Sequence, residues 1–243
     1  MLRTGSATFD GTITMRHHLL FATVAAVAGA SSASANLLGD PGFEATALSG
    51  QQLATYYAGQ SFGGAWTVAG GQVTVVPTTY TEGSGPPIVF NAHGGNNWLD
   101  LTGLGNAGPT DGIYQDIATT AGRRYDLSFY VGNADTDGNE ATFYADPSTV
   151  NLSINGGAYT PFINADITEN RDNWKFFATS FIASGPSTRI AFFNGTPLTD
   201  DANGVDDVSL TGGIPEPASW VLLVTGFGAV GLIGRRRQRT VAA

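Results

Sequence analysis

The run Tyr125-Asp126-Leu127-Ser128-Phe129-Tyr130-Val131 constrains this chain more than any other feature, because Tyr125, Leu127, Phe129 and Val131 alternate with Asp126, Ser128 and Tyr130. A period of two sends successive side chains to opposite faces, as in a strand with one buried side, and no helix can reproduce it. Less regular β-rich runs recur between turn clusters: Ala65 to Val68, Gln72 to Val76, Asn97 to Leu101, Ile113 to Ile117, Ala141 to Tyr144, Thr149 to Ile154, Trp174 to Phe181, Thr188 to Phe193 and Val205 to Leu210. With Arg124 to Val131 these make about ten strands, and the spacing predicts an all-β fold, a jelly-roll β-sandwich of two packed antiparallel sheets. Composition points the same way: glycine is abundant at 33 residues while Lys and Arg together number 11, which disfavours long amphipathic helices. There is no cysteine, so neither a disulfide framework nor a thiolate metal site exists.

The two ends belong to targeting rather than to the packed domain. Met15-Arg16-His17-His18 precedes an apolar run from Leu19 to Ala30, and Ala33-Ser34-Ala35 closes it. A positive start, an apolar segment and small residues at the exit make a secretory signal peptide over residues 1–35, forming a helix and cut before Asn36. Residues 1–14 sit oddly upstream of it, so translation is expected to begin at Met15. At the other end Ile214-Pro215-Glu216-Pro217-Ala218-Ser219-Trp220 leads into the apolar stretch Val221 to Gly234 and then Arg235-Arg236-Arg237-Gln238-Arg239. An apolar helix of about 14 to 16 residues is short for a bilayer core, which takes about 20. Trp220 at one interface and the arginines at the cytoplasmic one make marginal insertion reasonable.

Between the ends, residues 36–213 form the domain. From Asn36 to Ile214 the five basic residues Arg123, Arg124, Arg171, Lys175 and Arg189 face 18 acidic ones, a net charge of −13. Such acidity excludes nucleic acid as a partner, since phosphate binding needs a Lys/Arg footprint. It suits a self-repelling surface domain and a divalent cation.

The Pro215-Glu216-Pro217 tripeptide, the aromatic Trp220, the Gly-rich apolar helix and the cluster Arg235, Arg236, Arg237 resemble the PEP-CTERM sorting signal, here residues 214–239. The same tail circulates as the ice-binding protein C-terminal domain, a label that says nothing about ice. The resemblance implies an exosortase as partner, export, transient anchoring in the inner membrane, and a place at the cell surface or in the extracellular matrix. Within the domain, Asn36 to Glu44, then Trp98 to Gly103, Gly112 to Ile117 and Ala121 to Tyr125, and finally Val205 to Leu210 resemble, in the right order, the galactose-binding-like jelly-roll of many carbohydrate-binding modules. In that fold the first and last strands lie side by side, and a structural calcium commonly pins them. By that resemblance Glu44 and Asp207 supply carboxylates and backbone carbonyls complete the six to eight oxygens that Ca²⁺ takes.

Other motifs carry less. Asn133 to Gly138 has the alternating oxygens and sixth-position glycine of a half EF-hand loop, but Tyr144 stands where a bidentate Glu belongs, so a polar turn is the better reading. Gly103 to Gly108 satisfies a dinucleotide-binding glycine string but runs into Pro109-Thr110-Asp111-Gly112, another turn. His93 is the only histidine beyond the signal peptide and lies in a loop-like composition, Asn91-Ala92-His93-Gly94-Gly95, where it is expected to be a bystander. No nucleophile elbow exists and no carboxylate pair stands out, so no enzymatic activity is expected. Sugar rings need flat apolar faces and a few hydrogen-bonding groups. Tyr56, Tyr57, Trp66, Tyr80, Trp98 and Trp174 offer the former, with Trp98 and Trp174 expected in the core and the three tyrosines exposed; Asn96, Asn97 and Gln115 are the nearby amides. The sequence singles out no ligand-binding residue. Two functions fit: a module holding extracellular polysaccharide or other glycan, and a structural or adhesive biofilm protein with no small ligand.

Overall fold

The computed structural model describes residues 35–82, 87–104, 108–134, 144, 147–167, 171–197 and 202–212. The signal segment, the sorting tail from Pro215 to Arg237 and their expected helices lie outside the described residues, as do most of Ala141 to Tyr144 and of the half EF-hand loop. Fourteen strands follow in chain order: β1 (Ala54–Tyr57), β2 (Ser61–Phe62), β3 (Trp66–Ala69), β4 (Gln72–Pro77), β5 (Tyr80–Glu82), β6 (Ile88–Phe90), β7 (Asn97–Asp100), β8 (Gly112–Ala118), β9 (Arg124–Asn133), β10 (Ser148–Ile154), β11 (Thr160–Asn164), β12 (Asn173–Ile182), β13 (Ser187–Asn194) and β14 (Gly204–Gly212).

They build two six-stranded antiparallel sheets, ordered β1-β4-β7-β14-β9-β12 and β11-β10-β13-β8-β3-β2, with β5 and β6 as a separate hairpin. This is the jelly-roll sandwich of the sequence reading. The alternation in β9 decides which face packs inward: Tyr125, Leu127, Phe129 and Val131 are buried while Asp126 is exposed. Phe129 meets Phe192 of β13 edge-on, with ring centroids 5.0 Å apart, and Trp66 of β3 packs on Phe192 from the other side. Burying each such ring relative to water is worth about 1.5–3 kcal/mol, so the alternating residues fix the register as well as the fold.

The first described segment lies along the last strand, as the resemblance implied. Leu37 N–H donates to Leu210 O, Val208 N–H donates to Pro41 O, and the Asn36 amide bridges Val208 O and Leu210 N–H. The outer face of the first sheet is divided. Its β4 and β7 half is covered by the β5–β6 hairpin and the chain that follows, forming a second apolar cluster around Val76, Ile88, Phe90 and Trp98. Of its β14, β9 and β12 half, the part around Asp126 and Ser128 is left uncovered by the described residues.

Candidate functional site

The open half of the first sheet is the candidate site, and strand register builds it row by row. Outward-facing Asp126, Ser128 and Tyr130 of β9 lie opposite Ser180, Ala178 and Phe176 of β12. On the other side Thr211, Ser209 and Asp206 of β14 lie opposite the same three residues. The result is one row of Thr211, Asp126 and Ser180, a second of Ser209, Ser128 and Ala178, and a third ending in Tyr130 and Phe176. A shallow groove of about 560 Å³ runs over these rows, with Arg124 beside Asp126 at one end and Phe176 at the other. Arg124 Nε donates to Asp126 Oδ1 at 3.0 Å, which neutralises the groove's only carboxylate. The floor is therefore small hydroxyls without net charge, and Phe176, 55% exposed, stands as a flat apolar wall.

That wall is the exposed end of an aromatic ladder. Tyr130 packs on Phe176 at 5.2 Å between centroids, His93 stacks on Tyr130 at 3.4 Å, and Trp174 meets His93 edge-on at 6.2 Å. Trp174 then abuts Trp98, which stacks on Phe90. The Trp174 ring can lie flat on the sheet only because Gly132 and Gly204 face each other beneath it; a Cβ on either would sit 2.9 Å from its ring carbons. The indole N–H donates to Asn91 O at 2.8 Å, tying the 91–96 chain onto the sheet. Packing thus holds Tyr130 in place, and with it Phe176.

Beside the ladder lies a carboxylate cluster that bears on the metal expectation. The bulge in β14 between Asp206 and Ser209 turns Asp207 to a φ of 47°, so that Asp206 and Asp207 both reach the 93–97 chain. Asp206 accepts from the backbone N–H groups of His93, Gly94 and Asp207, and burial pushes its carboxyl up to about 7. Asp207 Oδ2 lies 2.6 Å from His93 Nδ1. Glu44 Oε1 accepts from the N–H groups of Asn96 and Asn97, both at 2.8 Å. A Cβ on Gly42 would sit 3.6 Å from Asp207 Oδ1, 3.8 Å from Asp206 Oδ1 and 3.8 Å from Glu44 Cγ, so three acidic side chains surround one glycine. Among the described residues no three acidic or histidine side chains converge closely enough to hold an ion by themselves. Glu44 and Asp207, the two carboxylates of the calcium expectation, both lie against the 93–97 chain, Glu44 accepting from Asn96 and Asn97 N–H and Asp207 facing the His93 ring, so an ion there would need carbonyl oxygens to complete its shell.

The other sequence candidates fall elsewhere. Trp66 is fully buried in the main core and Trp98 is buried in the second cluster, as expected for Trp98. Trp174 is only half-buried, because the face it covers is the outer one. Tyr57 is 55% exposed, but Tyr56 is half-buried against Phe62 at 4.7 Å and Tyr80 is half-buried against Phe90, which corrects the expectation that both lie open. Gln115 is a structural amide, accepting from Gly39 N–H and donating to Gly39 O. Tyr130 and Phe176 were missed, and the signal was available: Tyr130 occupies an outward position of the clearest strand, and of the adjacent pair Phe176-Phe177 one ring must face out.

No protein-family model matches this sequence, and no curated protein matches it. Solved structures similar to it include the CBM22-1 xylan-binding domain from Paenibacillus barcinonensis Xyn10C, at 15% identity and a TM-score of 0.38 over 68% of this chain and 97% of that one. A family 35 carbohydrate-binding module from Clostridium thermocellum is 14% identical with a TM-score of 0.37, covering 65% of this chain and 98% of that one. The Podospora anserina GH26-CBM35 β-(1,4)-mannanase gives 17% identity and a TM-score of 0.37 over 69% of this chain, which spans 29% of the mannanase.

Proposed function

We propose that this chain is an exported, non-catalytic protein that binds neutral glycan in the groove over β14, β9 and β12, at the cell surface or in the extracellular matrix. The observation that carries the binding reading is the groove itself: rows of small hydroxyls beside an exposed phenyl ring, with the one carboxylate paired to arginine. Pyranose rings present an apolar face and a rim of hydroxyls, so Phe176 takes the first and Ser128, Ser180, Ser209 and Thr211 the second. A net charge of −13 over the domain steers away anionic polymers and leaves uncharged ones. Export through the signal segment, recognition of the tail by an exosortase and transient residence in the inner membrane rest on residues 1–35 and 214–239 of the sequence.

Calcium belongs to the same reading. Glu44 and Asp207 hold it with backbone carbonyls, and its charge offsets the repulsion among Glu44, Asp206 and Asp207.

The test has two arms. A reporter fused to the domain is expected outside the cytosol of a host with exosortase, and its retention in the cytosol contradicts the export half. A panel of immobilised polysaccharides is expected to retain the protein saturably, with release by the soluble sugar. Aggregation of cells without any such retention supports a purely adhesive matrix role instead.

A further inference from the structure

The end of the first sheet is a ten-residue edge, and it is unusually apolar. β12 pairs with β9 along Asn173 to Ile182; the chain at the end of β11 is bonded to its start, Asn164 Nδ2 donating to Asn173 O, and from Phe176 to Ile182 its other side pairs with no strand among the described residues. Every second residue there presents an N–H and a C=O outward, and such a row recruits another strand unless charge, proline or a covering element blocks it. From Phe176 to Ile182 the strand carries neither charge nor proline, and no described strand covers it. Its only charged residue is Lys175, which bonds Asp166 at 2.8 Å, and Phe176 and Ile182 stand 55% and 71% exposed. The neighbouring edge of the second sheet, β11, adds exposed Tyr159, Ile163 and Ile167 on and beside it, so five of the eight large exposed apolar side chains among the described residues gather on one side of the sandwich.

We propose that β12 is the contact for a second copy of this chain, with two β12 strands pairing antiparallel about a twofold axis at Thr179. Charge favours a copy over other partners. Two domains of net charge −13 repel almost everywhere, and this edge is a stretch of surface that carries no net charge. The strand is also self-complementary in that register. Phe176 lies opposite Ile182 of the copy, Phe177 opposite Phe181, and Ala178 opposite Ser180, so the two most exposed apolar side chains of each strand pack side by side on the same face. A closed pair consumes the edge and ends growth. It also joins two six-stranded sheets into one, bringing two outer-face grooves onto a single surface, where a polymer engaging both gains avidity.

The contact needs no glycan, so it stands or fails separately from the binding reading. The test is the mass of the full chain in mild detergent, measured by sedimentation without polysaccharide. A monomer–dimer equilibrium is expected at micromolar concentration, with Ile182→Lys weakening it about tenfold or more. Register is tested in a chain with no native cysteine. Thr179→Cys faces its own copy at a cross-strand Cα separation of about 4.5–5.5 Å, within disulfide range, and forms a reducible covalent dimer. Ser180→Cys faces Ala178 of the copy and cross-links far more slowly. A monomer at all concentrations overturns the proposal, as does a dimer indifferent to Ile182→Lys in which both cysteines cross-link equally.

Discussion

Single residues carry the site's precision, and some of it was out of reach of sequence. Gly132 and Gly204 carry no side chain that would mark them in the sequence, yet they are the floor on which Trp174 lies. Their partner is a non-local ring, and pattern along the chain contains no trace of it. Asp172 shows the same limit. Its carboxylate oxygens both accept from Asn91 N–H at 3.0 Å, and burial pushes its pKa up to about 7. A folded-state value above the ordinary 3.8 means that the native protein holds a proton the unfolded chain releases. The associated stabilisation is full below about pH 4 and is lost as pH rises through about 7. Denaturant melts at pH 5 and pH 8 are expected to differ by a few kcal/mol from this group, with the lower pH more stable. Asp172→Asn keeps one acceptor for Asn91, removes this group's share of the slope while Asp206, also raised to about 7, keeps its own, and raises stability at pH 8. An unchanged slope contradicts the assignment.

At the level of elements, what could be read depended on whether a segment faces two environments. β9 and β13, central in their sheets, have one dry face and one wet face, and their alternation announced them. β3, β8, β10, β12 and β14 were legible to within a few residues for the same reason, and β4 and β7, buried on both faces, as compact β-rich runs. β1, β2, β5, β6 and β11 were not: they are two to five residues long and lie at sheet edges or in a hairpin, where half-exposed side chains leave no period. The elements around Gly42 give a prediction of their own. The calcium proposed there would tie the first segment and the 93–97 chain to β14, so a chelator is expected to lower the melting temperature of the native protein and added Ca²⁺ to restore it. In Glu44→Gln or Asp207→Asn the chelator effect disappears. A melting temperature that ignores the chelator removes the ion from the account.

For the molecule as a whole, one property organises the rest: a strongly acidic sandwich whose open face and exposed edge carry no net charge. Composition revealed the acidity and the strand content, and so excluded nucleic acid and suggested a surface domain. It did not reveal the uncharged face, because which side chains of β12 and β14 stand beside the Arg124–Asp126 pair is set by non-local strand pairing. The most direct measurement of the central claim is the affinity of the native protein and of Phe176→Ala for the polysaccharide that retains it, by calorimetric titration. Removing the wall of the groove is expected to weaken binding about tenfold or more while leaving the unfolding free energy within about 0.5 kcal/mol of the native value. Equal affinity for the two proteins would mean that the glycan binds elsewhere, or not at all through this face.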